Sequence, residues 1–288
     1  MYDGYTRTCG LIGNPVEHTI SPLIHNHLAD KREDNLVYVP FHVAHDKLEE
    51  AVKGAFALNL LGCNVTVPYK SDVIPYLEQI DPLAERIGAV NTLVRSEEGF
   101  KGFNTDMPGL YRAFERDGVK IPGEEVVILG AGGVARAVAI LLAEKGASRI
   151  VILNRSIDKA LGIAQEVNGY VGRDLMEVLP LAEYRQLTGR YLAIQATSVG
   201  MYPRVEEVII DDPDFYKRIH TGYDLIYNPP VTKFMEYVQQ SGGKAYNGLK
   251  MLLYQGIIAY ELWTGKSISD RLADEVYDKM VEAMGSKG

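Results

Sequence analysis

Cysteine occurs only twice in 288 residues, as Cys9 and Cys63, too few for a disulfide framework or a thiolate metal cage. Both read as small buried thiols, and a reducing cytoplasm is the expected compartment. Long apolar runs are missing as well. No stretch approaches the roughly 18 apolar residues that cross a bilayer, and the opening MYDGYTRTCGLIGN has no basic segment leading into an apolar one, so a soluble chain without membrane attachment is expected. Positive charge is in deficit. Lys plus Arg total 30 against 38 for Asp plus Glu, a net charge of −8, which argues against nucleic acid as a partner while leaving room for a local basic pocket. There is no low-complexity segment, no repeat of 20 to 50 residues and no Pro/Ser-rich linker. Nor is there an H-E-x-x-H, a P-loop or a paired Cys/His spacing, and no metal is expected.

What remains is an average globular composition, 47% hydrophobic and 24% charged, with a surplus of glycine at 28 residues. At about 150 residues per domain the length suggests two domains. The first hundred residues alternate β-type runs (TCGLIG, LVYVPFHV, GCNVTVP, AVNTLVR) with helical patterns such as KLEEAVKGAFALNL, which implies strands joined by crossover helices. The alternation resumes through EEVVILG, RIVILN, RYLAIQA and GYDLIY, whose near-continuous apolar character suits parallel strands buried on both faces. From Leu249 onward only helical patterns remain. The fold class is therefore α/β: an N-terminal α/β domain, a Rossmann-like doubly wound domain, and C-terminal helices that pack on a preformed unit.

Residues 126–137 read VVILGAGGVARA, in which Gly130, Gly132 and Ala135 fill the pattern G-x-G-x-x-G/A between a strand and a helix. Gly130 makes the tight turn, Gly132 lets a pyrophosphate approach the backbone, and Ala135 packs helix on strand. Ala131, Gly133 and Val134 complete a turn whose helix-start amides favour an anion. The next strand ends at Asn154, 24 residues beyond Gly130, where an NAD reader carries a carboxylate for the ribose hydroxyls. Here Asn154, Arg155 and Ser156 are followed by Lys159, a set suited to a 2′-phosphate, with Asp158 diluting the charge. NADP is favoured over NAD.

Lys70, in GCNVTVPYK, stands past the C-terminal end of a strand, the side of an open α/β sheet where ligands bind. Asp106, in GFNTDMPGL, precedes a helix, where an isolated Asp is most often an N-cap. Together they would suit carbonyl reduction, an ammonium stabilising and protonating the developing oxyanion while a carboxylate orients it. In GNPVEHTISPLIHN, His18, Thr19 and Ser21 precede a helix start, where hydroxyls hold a carboxylate as readily as they cap. His25 and His27 are two apart, cannot share a helical face, and read as ordinary polar residues.

Taken in order, GLIGNPVEHTISPLIHN, NVTVPYK, GAVNTL, GFNTD, GAGGVARA, NRSIDK, QATSVGM, DLIYNPPVT and GLKMLLYQG resemble the shikimate dehydrogenase family, the shikimate/quinate dehydrogenases, over nearly the whole chain. The resemblance implies a catalytic pair of Lys70 and Asp106. It also implies substrate contacts from Thr19, Ser21, Thr66, Asn91, Tyr227 and Gln255, and cofactor contacts that add Thr197, Gly248 and Met251 to the turn and to the Asn154–Lys159 group. It assigns residues 1–106 with 248–288 to a substrate domain and 107–247 to an NADP domain. The implied activity is NADPH-dependent, reversible reduction of 3-dehydroshikimate to shikimate, as in aromatic amino acid biosynthesis by way of chorismate. The partners are a small molecule, with quinate a second candidate substrate, and a homodimer is the assembly allowed for. Three positions depart from the family pattern: Thr19 where serine is commoner, Met107 where glycine is, and Gln195 where asparagine is. The competing readings are a quinate/shikimate dehydrogenase preferring NAD and a nonenzymatic dinucleotide-binding sensor.

Overall fold

A computed structural model describes residues 2–285. Contacts divide the chain into two compact units. One takes the residues up to Leu110 together with those from Leu252 onward, the other Tyr111–Met251.

The first unit contains β1 (Arg7–Gly13), α1 (Ser21–Lys31), β2 (Leu36–His42), α2 (Leu48–Ala57), β3 (Gly62–Val65), β4 (Gln79–Ile80), α3 (Pro82–Ile87), β5 (Thr92–Arg95), β6 (Phe100–Phe103) and the start of α4 (Asp106–Arg116). Its sheet has the order β2-β1-β3-β5-β6-β4. The first three strands run parallel, as the crossover helices require, but β5 pairs antiparallel with both β3 and β6. An all-crossover sheet is thus corrected to a mixed one, since the short Ser96–Gly99 connection reverses the chain directly. The expected strand over residues 62–68 also stops early, at Val65, and Thr66–Lys70 form a turn beyond it.

The second unit contains β7 (Glu125–Leu129), α5 (Gly133–Glu144), β8 (Arg149–Asn154), α6 (Ile157–Val171), β9 (Met176–Pro180), β10 (Tyr191–Gln195), α7 (Pro213–Tyr216), β11 (Ile219–Asp224), α8 (Lys233–Gln240), β12 (Lys244–Tyr246) and the first residues of α9 (Leu249–Thr264). The order is β12-β11-β10-β7-β8-β9 and every pairing is parallel, the doubly wound arrangement whose winding reverses between β7 and β10. Val126–Leu129 are at most 1% exposed, as buried parallel strands demand. The strand expected over residues 222–227 lies instead at Ile219–Asp224, which leaves Tyr227 in the following loop.

The rest of α9 and α10 (Asp270–Gly285) belong to the first unit. Trp263 Nε1 donates to the carbonyl of Leu93 at 2.8 Å, and its indole fills the space that a Cβ on Gly62 would take. Tyr260 donates to Asp34, and Lys31 pairs with Glu275 at 2.7 Å, so the returning helices are fastened to the sheet and to α1. The unit boundary falls inside α4 and again inside α9.

Candidate functional site

In the first unit, residues far apart in sequence converge. Lys70 Nζ donates to Asp106 Oδ2 at 2.6 Å, with side-chain exposures of 32% and 16%. Asp106 is the first residue of α4. Asn104 caps that helix instead, accepting from Met107 N–H at 3.3 Å, so the carboxylate is free of capping duty. Asn91 Nδ2 donates to the other carboxylate oxygen at 2.9 Å and to Thr105 Oγ1 at 3.0 Å, and approaches Gln255 Oε1 at 3.5 Å. Both oxygens of Asp106 are therefore held, one by a cation and one by a buried amide, and the carboxylate cannot turn without losing a bond. Gln255 is tied by its Nε2 to the Leu252 carbonyl at 2.9 Å.

At the start of α1 the N-cap position is Ile20, which makes no side-chain cap. Thr19 Oγ1 accepts from Ser21 N–H at 3.2 Å and lies 3.1 Å from Ser21 Oγ, which brings the two hydroxyls together at the helix start. Thr66 is half-buried beside Gly13, on the turn that carries Lys70, and His18 is exposed. His25 corrects the expectation of an ordinary polar residue. It is fully buried, stacked on Tyr38 at 4.2 Å, and burial drives its pKa down to about 3, so it is a neutral core ring. Asn64, which nothing in the spacing singled out, is buried on β3 and bonds Tyr38, the Asn91 carbonyl and Thr92.

In the second unit, Gly130 has φ +107, a value open to glycine and strained for other residues, and Ala135 is fully buried against the strand. Gly132 and Gly133 are different. Both are exposed, have ordinary φ, and a Cβ on either would meet nothing within 4 Å, so neither is small for the sake of packing. The N-cap of α5, Gly132, brings no side chain to the helix-start amides, and the first turn holds no acidic residue. An open cradle of free N–H groups on a 12-residue helix fits the pyrophosphate of a dinucleotide. Ala131 and Val134 flank it, the first half-buried and the second exposed.

Asn154 Nδ2 folds back on the Ser156 carbonyl at 2.8 Å, fixing the turn after β8. Arg155, Ser156 and Lys159 are exposed, and among the described residues neither cation forms an ion pair. Arg155 walls a cavity of about 470 Å³ lined also by Pro180, Leu181, Tyr184 and Ile210, none of which carries a motif signal in the sequence. Gln195, a departure from the family's asparagine, is buried at the end of β10 and ties the next loop on both sides. It accepts from Thr197 N–H at 2.6 Å and donates to the Val199 carbonyl at 2.9 Å. Tyr227 is 37% exposed. Its loop is pinned by Asp224, which accepts from Ile226 N–H at 2.9 Å and from the Thr232 hydroxyl at 2.6 Å. Burial pushes the Asp224 carboxyl up to about 7. Gly248 lies against the Leu225 backbone, where a Cβ would collide with its carbonyl, and Met251 is half-buried. Among the described residues no cluster of His, Cys, Asp or Glu could hold a metal, and no helix is long and apolar enough to cross a membrane.

A doubly wound sheet with an open glycine turn, joined in one chain to an α/β unit bearing a buttressed Lys–Asp pair, is the make-up of a dinucleotide-dependent oxidoreductase. Comparison with known proteins gives the family. Residues 11–93 match the family model described as shikimate dehydrogenase substrate binding domain, 113–199 that of shikimate / quinate 5-dehydrogenase, and 248–270 that of the shikimate 5'-dehydrogenase C-terminal domain. The shikimate dehydrogenase (NADP(+)) of Moorella thermoacetica is 42% identical over 284 residues, covering 98% of this chain and 95% of that one. A crystal structure of a shikimate dehydrogenase in complex with NADP+ is similar at TM-score 0.88 and 35% identity, covering 97% of each chain. One from Listeria monocytogenes, in complex with shikimate and NAD, has TM-score 0.88 and 32% identity, covering 97% of this chain and 98% of that one. The chain belongs to the shikimate dehydrogenase family.

Proposed function

We propose that this protein is an NADP-dependent shikimate dehydrogenase that interconverts 3-dehydroshikimate and shikimate, with Lys70 and Asp106 as its acid/base pair. The observation that carries the reading is the 2.6 Å contact between Lys70 Nζ and an Asp106 carboxylate fixed on its other oxygen by Asn91. When bound, the nicotinamide dinucleotide supplies or takes the hydride. In reduction, the Lys70 ammonium stabilises the charge growing on the carbonyl oxygen and gives it a proton, and Asp106 keeps the ammonium aimed. In oxidation, Lys70 takes the proton from the substrate hydroxyl as hydride leaves the carbon. By the family resemblance, Thr19, Ser21, Thr66, Asn91, Tyr227 and Gln255 are the residues read as holding the substrate's carboxylate and hydroxyls.

The unit formed by residues up to Leu110 and from Leu252 is read as the substrate domain, and Tyr111–Met251 as the cofactor domain. Gly130–Ala135 take the pyrophosphate, Thr197 and Gly248 are further cofactor contacts, and Met251 lies against the nicotinamide. Asn154, Arg155, Ser156 and Lys159 take the 2′-phosphate end, next to the cavity behind Arg155. Two unpaired cations in place of a carboxylate support NADP. Crossing shikimate and quinate with NADP and NAD in steady-state kinetics tests the whole reading. The highest kcat/KM is expected for shikimate with NADP. A maximum for quinate with NAD would replace it with the rival dehydrogenase, and absence of turnover in all four mixtures would favour a nonenzymatic role.

A further inference from the structure

Behind the Lys70–Asp106 pair, the first unit holds a chain of buried polar groups whose end amides are fixed in sense. Asn64 Nδ2 faces the backbone carbonyl of Asn91 at 3.2 Å, a group that can only accept. The amide oxygen of Asn64 therefore faces Tyr38, and the Tyr38 hydroxyl donates to it at 2.9 Å. At the other end, Asn91 Oδ1 takes the backbone N–H of Thr105 at 2.7 Å, a group that can only donate, which turns Asn91 Nδ2 toward Asp106. Thr92 joins the two amides, accepting from Asn64 Nδ2 at 3.0 Å and reaching Asn91 Oδ1 at 3.2 Å, with Thr105 Oγ1 at 3.1 Å as a second partner of its hydroxyl that itself bonds Asn91. The amides at both ends are thus fixed in sense, Tyr38 donating into Asn64 and Asn91 donating into Asp106, with Thr92 between them, and each bond polarises the next. Tyr38, Asn64, Thr92 and Asn91 are all at most 5% exposed, so water does not compete along the chain.

Tyr38 is held as well as buried. His25 stacks on its face, with the planes 17° apart, and Trp263 lies tilted nearby with its ring centroid 6.0 Å away. The His25 ring meets Tyr38 through its face. Burial raises the Tyr38 pKa well above that of an ordinary phenol, and the hydroxyl stays a donor across the working pH range.

We propose that Tyr38 is a positioning residue for the Lys70–Asp106 pair, acting through the hydrogen-bond chain over Asn64, Thr92 and Asn91. The inference rests on the reading of Lys70 and Asp106 as the acid/base pair. It is tested by steady-state shikimate oxidation with NADP in the full-length protein, comparing Tyr38→Phe, Thr92→Val, their double variant and Lys70→Ala. Tyr38→Phe keeps the stacked ring and removes one hydroxyl, and its kcat is expected to fall ~10-fold while KM for shikimate stays within about twofold. The double variant is expected to lose no more than the worse single one, because both cut the same chain. A structural role alone would leave kcat near the parent's and lower the thermal midpoint, and independent roles would make the two losses multiply; either result overturns the proposal. Should Tyr38→Phe not accumulate folded, Asn64→Ala with Thr92→Val tests the same chain with the same expectation. Lys70→Ala separates the two levels. If it is inactive while Tyr38→Phe is unaffected, only the chain falls; if it retains turnover, the acid/base reading falls first.

Discussion

Arg155 is the residue that the proposed NADP preference rests on, since the turn after β8 has no carboxylate and this guanidinium stands exposed beside Asn154. Replacing it with alanine is expected to weaken NADP roughly ten- to hundredfold, the range of a lost charge-assisted contact to phosphate, with NAD nearly unchanged. Equal losses for both cofactors would show that the side chain serves the fold and not the phosphate; titrating each cofactor into parent and variant decides it. Single residues were legible where their chemistry was unusual for their setting. Arg155 stood out against the acid expected there, and Lys70 against the strand end it follows. Asn64 and Asp224 were not legible, because a lone amide in a buried strand and a lone acid at a strand end have no spacing signal, and only the folded partners reveal what they hold. His25 was misread for a related reason: a ring that stacks on Tyr38 and Trp263 is assigned by contacts across 13 and 238 positions of sequence.

Among the elements, the turn from β7 into α5 shows a division of labour among glycines. Gly130 is required by its φ, whereas Gly132 is required by nothing inside the protein. A valine at 132 should therefore leave the urea midpoint close to the parent's while raising KM for NADP by ~10-fold or more, since its methyls would occupy the anion cradle. Loss of stability together with unchanged KM would contradict that assignment. The long buried strands β7, β8 and β10 were readable as apolar runs, and α5 as an alanine-rich helix between glycine and lysine. The short strands β4, β6, β9 and β12 were not, because two to five residues such as QI, FKGF or KAY do not establish a period. The antiparallel β5–β6 pair follows from this: without β6, the turn between them reads as a loop, and the mixed character of the sheet is invisible.

On the scale of the whole molecule, two buried ionisable groups give stability a pH dependence of opposite signs. His25 is neutral in the fold down to about pH 3 but takes a proton near 6.5 once unfolded, so its contribution is lost as pH falls from ~6.5 toward 3. Asp224 keeps its proton in the fold up to about 7 but ionises near 3.9 in the unfolded chain, so its contribution is lost as pH rises from ~4 to 7. Replacing His25 with phenylalanine keeps the stack on Tyr38 and removes only the first effect. Urea unfolding at several pH values should then show the variant gaining on the parent by up to ~1.4 kcal/mol for each unit of pH lost below 6.5. Parallel curves for parent and variant would mean that His25 is protonated in the fold.

Lys70 and Asp106 meet across 36 positions of sequence, and it is the mixed sheet and the start of α4 that bring them together. Their chemical role is tested most directly by kcat and KM for shikimate and NADP in Lys70→Ala. An acid/base lysine requires kcat to drop at least ~100-fold with KM for shikimate changed little, and a kcat near the parent's would remove Lys70 from the reaction.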